Sequence, residues 1–596
     1  MYILGINAYH GDASASLIHD GRLIAAAEEE RFNRVKHCAG FPANAVRYCL
    51  ESSGIRVQDV AHVGISRDPS AHLHKKVLFA ATRAAKSISG IDRPLKQTDE
   101  AGGPGMLKVV ANRLANAAKV RDLRDDLAKA LSVPKSALRA QFHNIEHHRA
   151  HLASSFFVSP FERAALLSID GFGDFTSTMW GVGEGNSIET IGHIEYPHST
   201  GVLYTATTQF LGFPHYGDEG KVMGLAPYGK PRFMGEFREL IKAEEDGRFR
   251  LNLDYFRHHA EGVEMSWNEG SPVIGRIYSD RYAELLGQPR QAGAALTERE
   301  CDIAASLQAR LEEISFHILN NLFEKTGATD LGLSGGVAYN SVMNGKILLN
   351  TPFKRVFVQP AAGDSGTAIG VCYQIYNSIL KRPRGFVMEG AYTGPEFSDA
   401  EVRAELEKSG LDYETYADRE LTERAAQDIA DGAVVGWFQG RMEFGPRALG
   451  NRSIIVDPRR ADMKEILNNR IKKREPFRPF APSILEERVG DYFEQTHPAP
   501  TMLMVYQIKP ERRAEIPAVT HVDGSGRLQT VSEGMNARYH RLISDFCNLT
   551  GVPIVLNTSF NENEPIVCTP RHAIDCFLKT RMNVLYLNNY AVRRSD

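Results

Sequence analysis

The sequence predicts an α/β fold arranged as two domains. Three apolar runs lead to it, each ending in a glycine-containing turn, two of them with aspartate. Ala164 to Asp170 ends in Asp-Gly-Phe-Gly-Asp, Thr329 to Leu333 enters Ser-Gly-Gly-Val-Ala-Tyr-Asn, and Val356 to Gln359 enters Pro-Ala-Ala-Gly-Asp-Ser-Gly. The last two continue into helical patterns, the alternation that builds an α/β sheet. A second observation is the polar linker Lys381-Arg382-Pro383-Arg384-Gly385, which sets a boundary near 382–400; a new helix-then-strand pattern starts after Gly394-Pro395.

The elements follow in order. Tyr2 to Asn7 is a strand, Gly11-Asp12 a turn, Ser14 to His19 a strand, Gly21 a hairpin turn, and Arg22 to Glu28 a third strand. The small residues of the first turn could present backbone amides to an anion. Residues 68–140 read as a helical insertion with a flexible joint at Gly102-Gly103-Pro104-Gly105. From Arg83 to Arg124 it holds nine basic and four acidic residues, which fits a solvated excursion; a substrate-covering lid is the other reading. Residues 302–326 have helical periodicity, a helix starts at about Thr367, and Ala433 to Phe438 is a buried strand. There is no repeat of solenoid period.

Composition excludes several classes. Among 596 residues, 43% are hydrophobic and 24% charged, which rules out whole-chain disorder, collagen and coiled coil. Seventy basic against 73 acidic residues give a net charge of −3, unlike a nucleic-acid coat protein. Seven scattered cysteines, none in a Cys-x-x-Cys pair, fit reduced thiols. No apolar run reaches the roughly 18 residues of a membrane span. The opening MYILGINAYHG has no signal-peptide pattern, so a cytoplasmic protein is expected.

Four features carry chemistry. His147 and His151, in Glu-His-His-Arg-Ala-His, fall one turn apart on a helix and can chelate one ion. Alone the pair is weak, and an ordinary partly exposed helix is the alternative. Asp170 and Asp364 lie at or just beyond strand ends, where α/β sheets bind ligands. A His2Asp2 set suits Fe(II), Mn(II) or Zn(II). Gly335 and Gly336, with Asn340, separate a strand from a helix and could admit a phosphate, or form a plain turn. In the last third, Arg441, Arg447 and Arg452 alternate with glycines, and Lys472, Lys473, Arg474, Arg478 and Arg527 follow. Guanidinium forks there would grip phosphate. Asn557 to Asn561 reads as another polar strand end.

The motifs GINAYHGDASASL, EEERFNRVKH, EHHRAH, DGFGD, GDEGKVMGLAPYG, SGGVAYN, GRMEFGPRALGNRS and NTSFN resemble, in order and spread, the NodU/CmcH-type carbamoyltransferases. The resemblance implies an actin-like, acetate- and sugar-kinase-type transfer domain at 1–385 and a YrdC-like domain at 395–596. It implies that carbamoyl phosphate and ATP, with Mg, give carbamoyl-adenylate in the second domain. The first domain would then pass the carbamoyl group to a small natural product, with a hydroxyl acceptor favoured over an amine.

By the same resemblance the metal ligands fall on His147, His151, Asp170 and Asp364, with Fe(II) favoured over Zn or Mn. The nucleotide turn falls on Gly335, Gly336 and Asn340, and the carbamoyl phosphate cradle on Arg447, Lys472, Arg478, Arg527 and Asn557. His10, Asp12 and Lys36 are the catalytic candidates. Many members place His directly before Asp, whereas this chain has His10-Gly11-Asp12. Acceptor-lining residues are expected from 68–140 and 240–300. No stable nucleic-acid or membrane partner is expected, and the chain would act as a monomer or homodimer. A tRNA threonylcarbamoyl-type transferase and a non-catalytic nucleotide-sensing module are the alternative readings.

Overall fold

The central strands are apolar on both faces, as strands covered by helices on either side must be. In Tyr2–Asn7 (β1) every residue after the first is buried. In a computed structural model, described over residues 1–71, 123–263, 265–266 and 272–594, β1 is the centre of a five-stranded sheet. Ser14–His19 (β2) and Arg22–Glu28 (β3) lie on one side of it, Val60–Ile65 (β4) and Gln141–Asn144 (β5) on the other, in the order β3-β2-β1-β4-β5. The β1–β2 and β2–β3 pairs are antiparallel, and β1–β4 and β4–β5 are parallel.

The same plan occurs a second time. Arg163–Gly173 (β6) is flanked by antiparallel Thr176–Glu184 (β7) and Ser187–Glu195 (β8), and by parallel Asp330–Ser334 and then Arg355–Val358. Each unit also has a helix after its fifth strand, His147–Phe156 in the first and Thr367–Tyr373 in the second. These two helices pack against each other. A Cβ on Gly370 would lie 1.8 Å from the carbonyl oxygen of Ala150, so only glycine permits this approach. The region from 1 to 380 is thus a doubled α/β unit, as the actin-like superfamily resemblance leads one to expect.

The C-terminal region is a mixed α/β layer. Its nine-stranded sheet has Val435–Phe438, Arg452–Val456, Ile554–Ser559 and Ala481–Leu485 adjacent in that order. It is hydrogen-bonded directly to the doubled unit. Arg31 Nη2 donates to Gly445 O (2.9 Å), the Gly445 amide donates to Glu28 Oε1 (3.1 Å), and Asn344 Nδ2 donates to Leu503 O (3.0 Å). No helix among the described residues is long and apolar enough to cross a membrane.

One expectation needs correction. Residues 72–122 of the expected 68–140 insertion lie outside the described residues. Residues 123–140, however, belong to the body of the fold. Leu123, Leu127 and Leu138 are buried with Leu4, Ile6 and Val63, because the helix Leu123–Ala130 turns its apolar stripe onto the first sheet.

Candidate functional site

Four donors converge where the two units meet. Glu146 starts the first helix by accepting the amides of His148 and Arg149, the standard satisfaction of orphan N–H groups. His147 and His151 then share one face, as their spacing predicts. His148, on another face, is held between Ser168 Oγ (2.9 Å) and Thr176 O (3.0 Å), which pins the helix to the second sheet. Asp170 comes from β6 and Asp364 from the turn before the Thr367–Tyr373 helix.

His147 Nε2 and His151 Nε2 lie 3.2 Å apart. Asp170 Oδ2 is 3.3 and 3.1 Å from them, and Asp364 Oδ1 is 3.5 and 3.6 Å from them. Donors each about 2.0–2.2 Å from one ion stand roughly 3.0–3.5 Å apart, so the four residues fit a first-row divalent cation. The rest of Asp170 is spoken for. Its Oδ1 accepts the amides of Gly171 (2.7 Å) and Gly336 (3.2 Å). Burial and Asp170 both disfavour a charged Asp364, yet His10 and His147 bring it down to about 2. Burial opposes protonation of His147, yet Asp364 and Asp170 raise it to about 9. The His147 proton is what a bound cation would displace, while Asp364 is already ionised.

His10 Nδ1 lies 2.7 Å from Asp364 Oδ2, while its buried Nε2 has no partner among the described residues. Asp12 Oδ1 is 2.7 Å from His37 Nδ1, and Tyr216 Oη donates to Asp12 Oδ2 at 3.3 Å. Burial lowers His37, but Asp12 overrides it and lifts the imidazole from 6.5 to about 9. Stability from this pair is complete below pH 6.5 and is lost as pH rises through 9. Relative to a His37→Gln variant, the wild-type unfolding free energy is expected to fall by about 2–3 kcal/mol between pH 6 and pH 10, read by urea titration. Lys36 is lowered by burial, which outweighs the attraction of Glu30, and lowered further by Arg478 across the seam.

Gly335 and Gly336 lie against the strand that carries Asp170. Gly335 has φ +90°, and a Cβ there would meet Ile169 O at 2.1 Å. Asn340 is engaged otherwise. It caps the Ser341–Asn350 helix through Met343 N–H (2.9 Å) and exchanges two hydrogen bonds with Gln308 (2.8 and 3.0 Å). Both of its polar side-chain atoms are therefore in use.

The second cluster lies in the C-terminal region. Arg447 Nε and Arg527 Nε are buried without partners among the described residues. Burial lowers Arg447 to about 10; it lowers Arg527 far more, helped by Arg447, Arg474 and Arg478. These four guanidinium groups repel one another in a poorly solvated place, which an anion would relieve. Lys472 and Asn557 stand beside them in different roles. Lys472 Nζ donates to Ser559 O and to Asn561 O (2.8 Å) and Oδ1 (2.7 Å). Asn557 Nδ2 donates to Ala448 O (3.1 Å) and Gln529 Oε1 (2.9 Å), bracing the loop that carries Arg447; its Oδ1 has no partner among the described residues.

Arg474 was missing from the cradle expected from the sequence, although it lies in the same basic run. Tyr216, Tyr339 and Gln308 were missed too. Two of the three sit inside quoted motifs or beside them, but sequence gives no direction for a side chain. Tyr339 belongs to both clusters. Its ring lies against Gly363, next to Asp364, and its phenol is within electrostatic reach of Arg447.

A doubled α/β unit carrying a His2Asp2 cluster is thus joined to a sheet domain in which Arg447 and Arg527 have buried Nε atoms without partners among the described residues. Family comparison places it. A carbamoyltransferase N-terminus model matches residues 2–373 and a carbamoyltransferase C-terminus model matches 426–594. The chain belongs to the carbamoyltransferase family. Similar proteins include nodulation protein NolNO of Sinorhizobium fredii, 38% identical over 99% of this chain and 80% of that one. The 3'-hydroxymethylcephem-O-carbamoyltransferase of Streptomyces clavuligerus is 30% identical over 71% of this chain and 75% of that one. Among solved structures, HypF of T. kodakarensis is similar at 15% identity and TM-score 0.31, covering 64% of this chain and 48% of that one.

Proposed function

We propose that this carbamoyltransferase uses ATP to activate a carbamoyl group and transfers it to a hydroxyl of a small-molecule acceptor. The observation that carries the reading is the pair of partly buried arginines, Arg447 and Arg527, whose buried Nε atoms have no partner among the described residues, in a chain of this family. They suit the phosphate of carbamoyl phosphate, with Arg478 and Arg474 beside them.

In this scheme carbamoyl phosphate and water give carbamate and phosphate in the arginine cradle. A carbamate oxygen attacks the α-phosphorus of ATP, and pyrophosphate leaves with Mg. Lys36, on the transfer side and close to Arg478, meets the adenylate as it crosses the seam. At the first cluster the acceptor oxygen attacks the carbamoyl carbon and AMP departs. His10 Nε2 takes the acceptor proton, while Nδ1 is oriented by Asp364. Asp12, paired with protonated His37, orients the acceptor.

His147, His151, Asp170 and Asp364 would hold a divalent ion, Fe(II) in preference to Zn or Mn. When bound, it supplies Lewis-acid polarisation of the carbamoyl carbonyl. The Gly335–Gly336 turn lets the nucleotide approach the backbone. Burial between the domains limits loss of the activated species to water.

The test is incubation with ATP, carbamoyl phosphate and a panel of hydroxylated and aminated metabolites, read by mass. Gain of one carbamoyl on a hydroxylated compound, with pyrophosphate released only when both ATP and carbamoyl phosphate are present, supports the reading. Absence of that pyrophosphate overturns it.

A further inference from the structure

Between Lys472 and the strand Ala481–Leu485 runs Lys-Arg-Glu-Pro-Phe-Arg-Pro-Phe, residues 473–480. It carries two kinds of side chain. Arg474 and Arg478 belong to the cradle, and Arg474 stacks over Phe480 at 4.6 Å. Glu475, Phe477 and Pro479 meet the other domain. Phe477 packs edge-on against Phe213 with centroids 6.2 Å apart, and Pro479 Cδ would lie 3.2 Å from a Cβ on Gly224. Glu475 Oε1 is 3.1 Å from Lys221 Nζ, which also reaches Asp218 Oδ1 at 2.8 Å and lies over the Phe213 ring at 5.5 Å.

A turn closed by the Arg478 amide on Glu475 O (3.2 Å) brings these two residues together. Glu475 Oε2 then lies 3.4 Å from Arg478 Nε. One carboxylate therefore has one oxygen on a cation of the transfer domain and the other on a cation of the phosphate cradle. The three side chains are 18%, 31% and 26% exposed, so the chain of charges is partly shielded from solvent. The Phe213–Phe477 contact beside it keeps the domains in register.

We propose that Glu475 is a positioning residue that aims Arg478 into the cradle only while Lys221 holds the transfer domain against it. An anion in the cradle draws Arg478 and leaves Glu475 to Lys221, tightening the seam when an activated carbamoyl group is about to cross. The pair thus works by geometry, since a partly exposed ion pair adds little to stability by itself. This inference rests on the two-site reaction proposed above, and its test separates the two.

Wild-type enzyme is measured first for carbamoyl phosphate-dependent ATP–pyrophosphate exchange, and for carbamoyl product formed per ATP consumed. No exchange in the wild type refutes the two-site reaction itself. With exchange established, Glu475→Gln is expected to raise the KM for carbamoyl phosphate about tenfold with little change in exchange kcat. It should also lower product formed per ATP. Lys221→Met should lower product per ATP with a smaller rise in KM. The exchanged pair Lys221→Glu with Glu475→Lys should restore product per ATP but not KM, because Arg478 still lacks its carboxylate. An unchanged KM in Glu475→Gln, or an exchanged pair no better coupled than Lys221→Met, overturns the proposal. Thermal unfolding of each variant excludes misfolding as the cause, and a Glu475→Asp variant, which keeps the charge, should regain most of the KM.

Discussion

Replacing His151 by alanine is expected to cut carbamoyl transfer by more than about 100-fold while leaving ATP–pyrophosphate exchange within about twofold. Losses of 10–100-fold are typical when only an outer partner of a metal ligand is removed, so losing a ligand should exceed them. His151 is fully buried and stands 3.1–3.6 Å from Asp170 and Asp364, so its loss takes one imidazole donor from between two carboxylates. The cradle is built from other elements and keeps its arginines. The check is single-turnover transfer from supplied carbamoyl-adenylate, alongside metal content of the purified protein. Chelation should abolish transfer in the wild type, and an added divalent ion should restore it there but not in the variant. Equal loss of both half-reactions would refute the separation of sites.

The complementary result is expected from Arg447→Ala. Exchange should fall by at least about 1,000-fold, whereas transfer from supplied carbamoyl-adenylate persists. The reason is electrostatic. Arg447 offers a partly buried guanidinium whose Nε has no partner among the described residues, so part of its desolvation cost is met in the resting protein and not at binding. Arg447→Lys should recover only part of the loss, because an ammonium is a point charge without the planar fork. Exchange in Arg447→Ala at the wild-type rate would show that the phosphate is held elsewhere.

Much of the fold was legible, for identifiable reasons. Strands β1 to β3 stood out because short apolar runs and tight turns are local, and their observed limits agree with the sequence reading. The long helix was seen only from 302, whereas it begins at Glu298. Its start was written in a capping box, Thr297 with Glu300, that went unread. The doubling of the sheets was not visible. The units share strand order but not spacing, since β4 and β5 are separated by 75 residues and their counterparts by only 20. Strand order is a property of long-range pairing, which hydrophobic pattern does not encode.

The candidate site divides in the same way. His147, His151, Asp170 and Asp364 could be named because each sits in a local signature, and the structure brings their donor atoms together. Arg447, Arg478 and Arg527 gather likewise. Asn340, by contrast, is engaged at a helix start, and Lys472 with backbone and side-chain oxygens of Ser559 and Asn561. Residue type was readable at those positions, but which neighbour satisfies each polar atom was not. Glu475 and Lys221 escaped attention altogether, because an ion pair across more than 250 residues of sequence leaves no mark in either stretch.

The matched units have a consequence for how such a centre could arise. Both imidazoles come from the first copy of the fold and both carboxylates from the second. A symmetric pair of such units would offer the same donors twice over and could not make this mixed set. The four-donor set therefore depends on how the two units differ, not on the strand order they share.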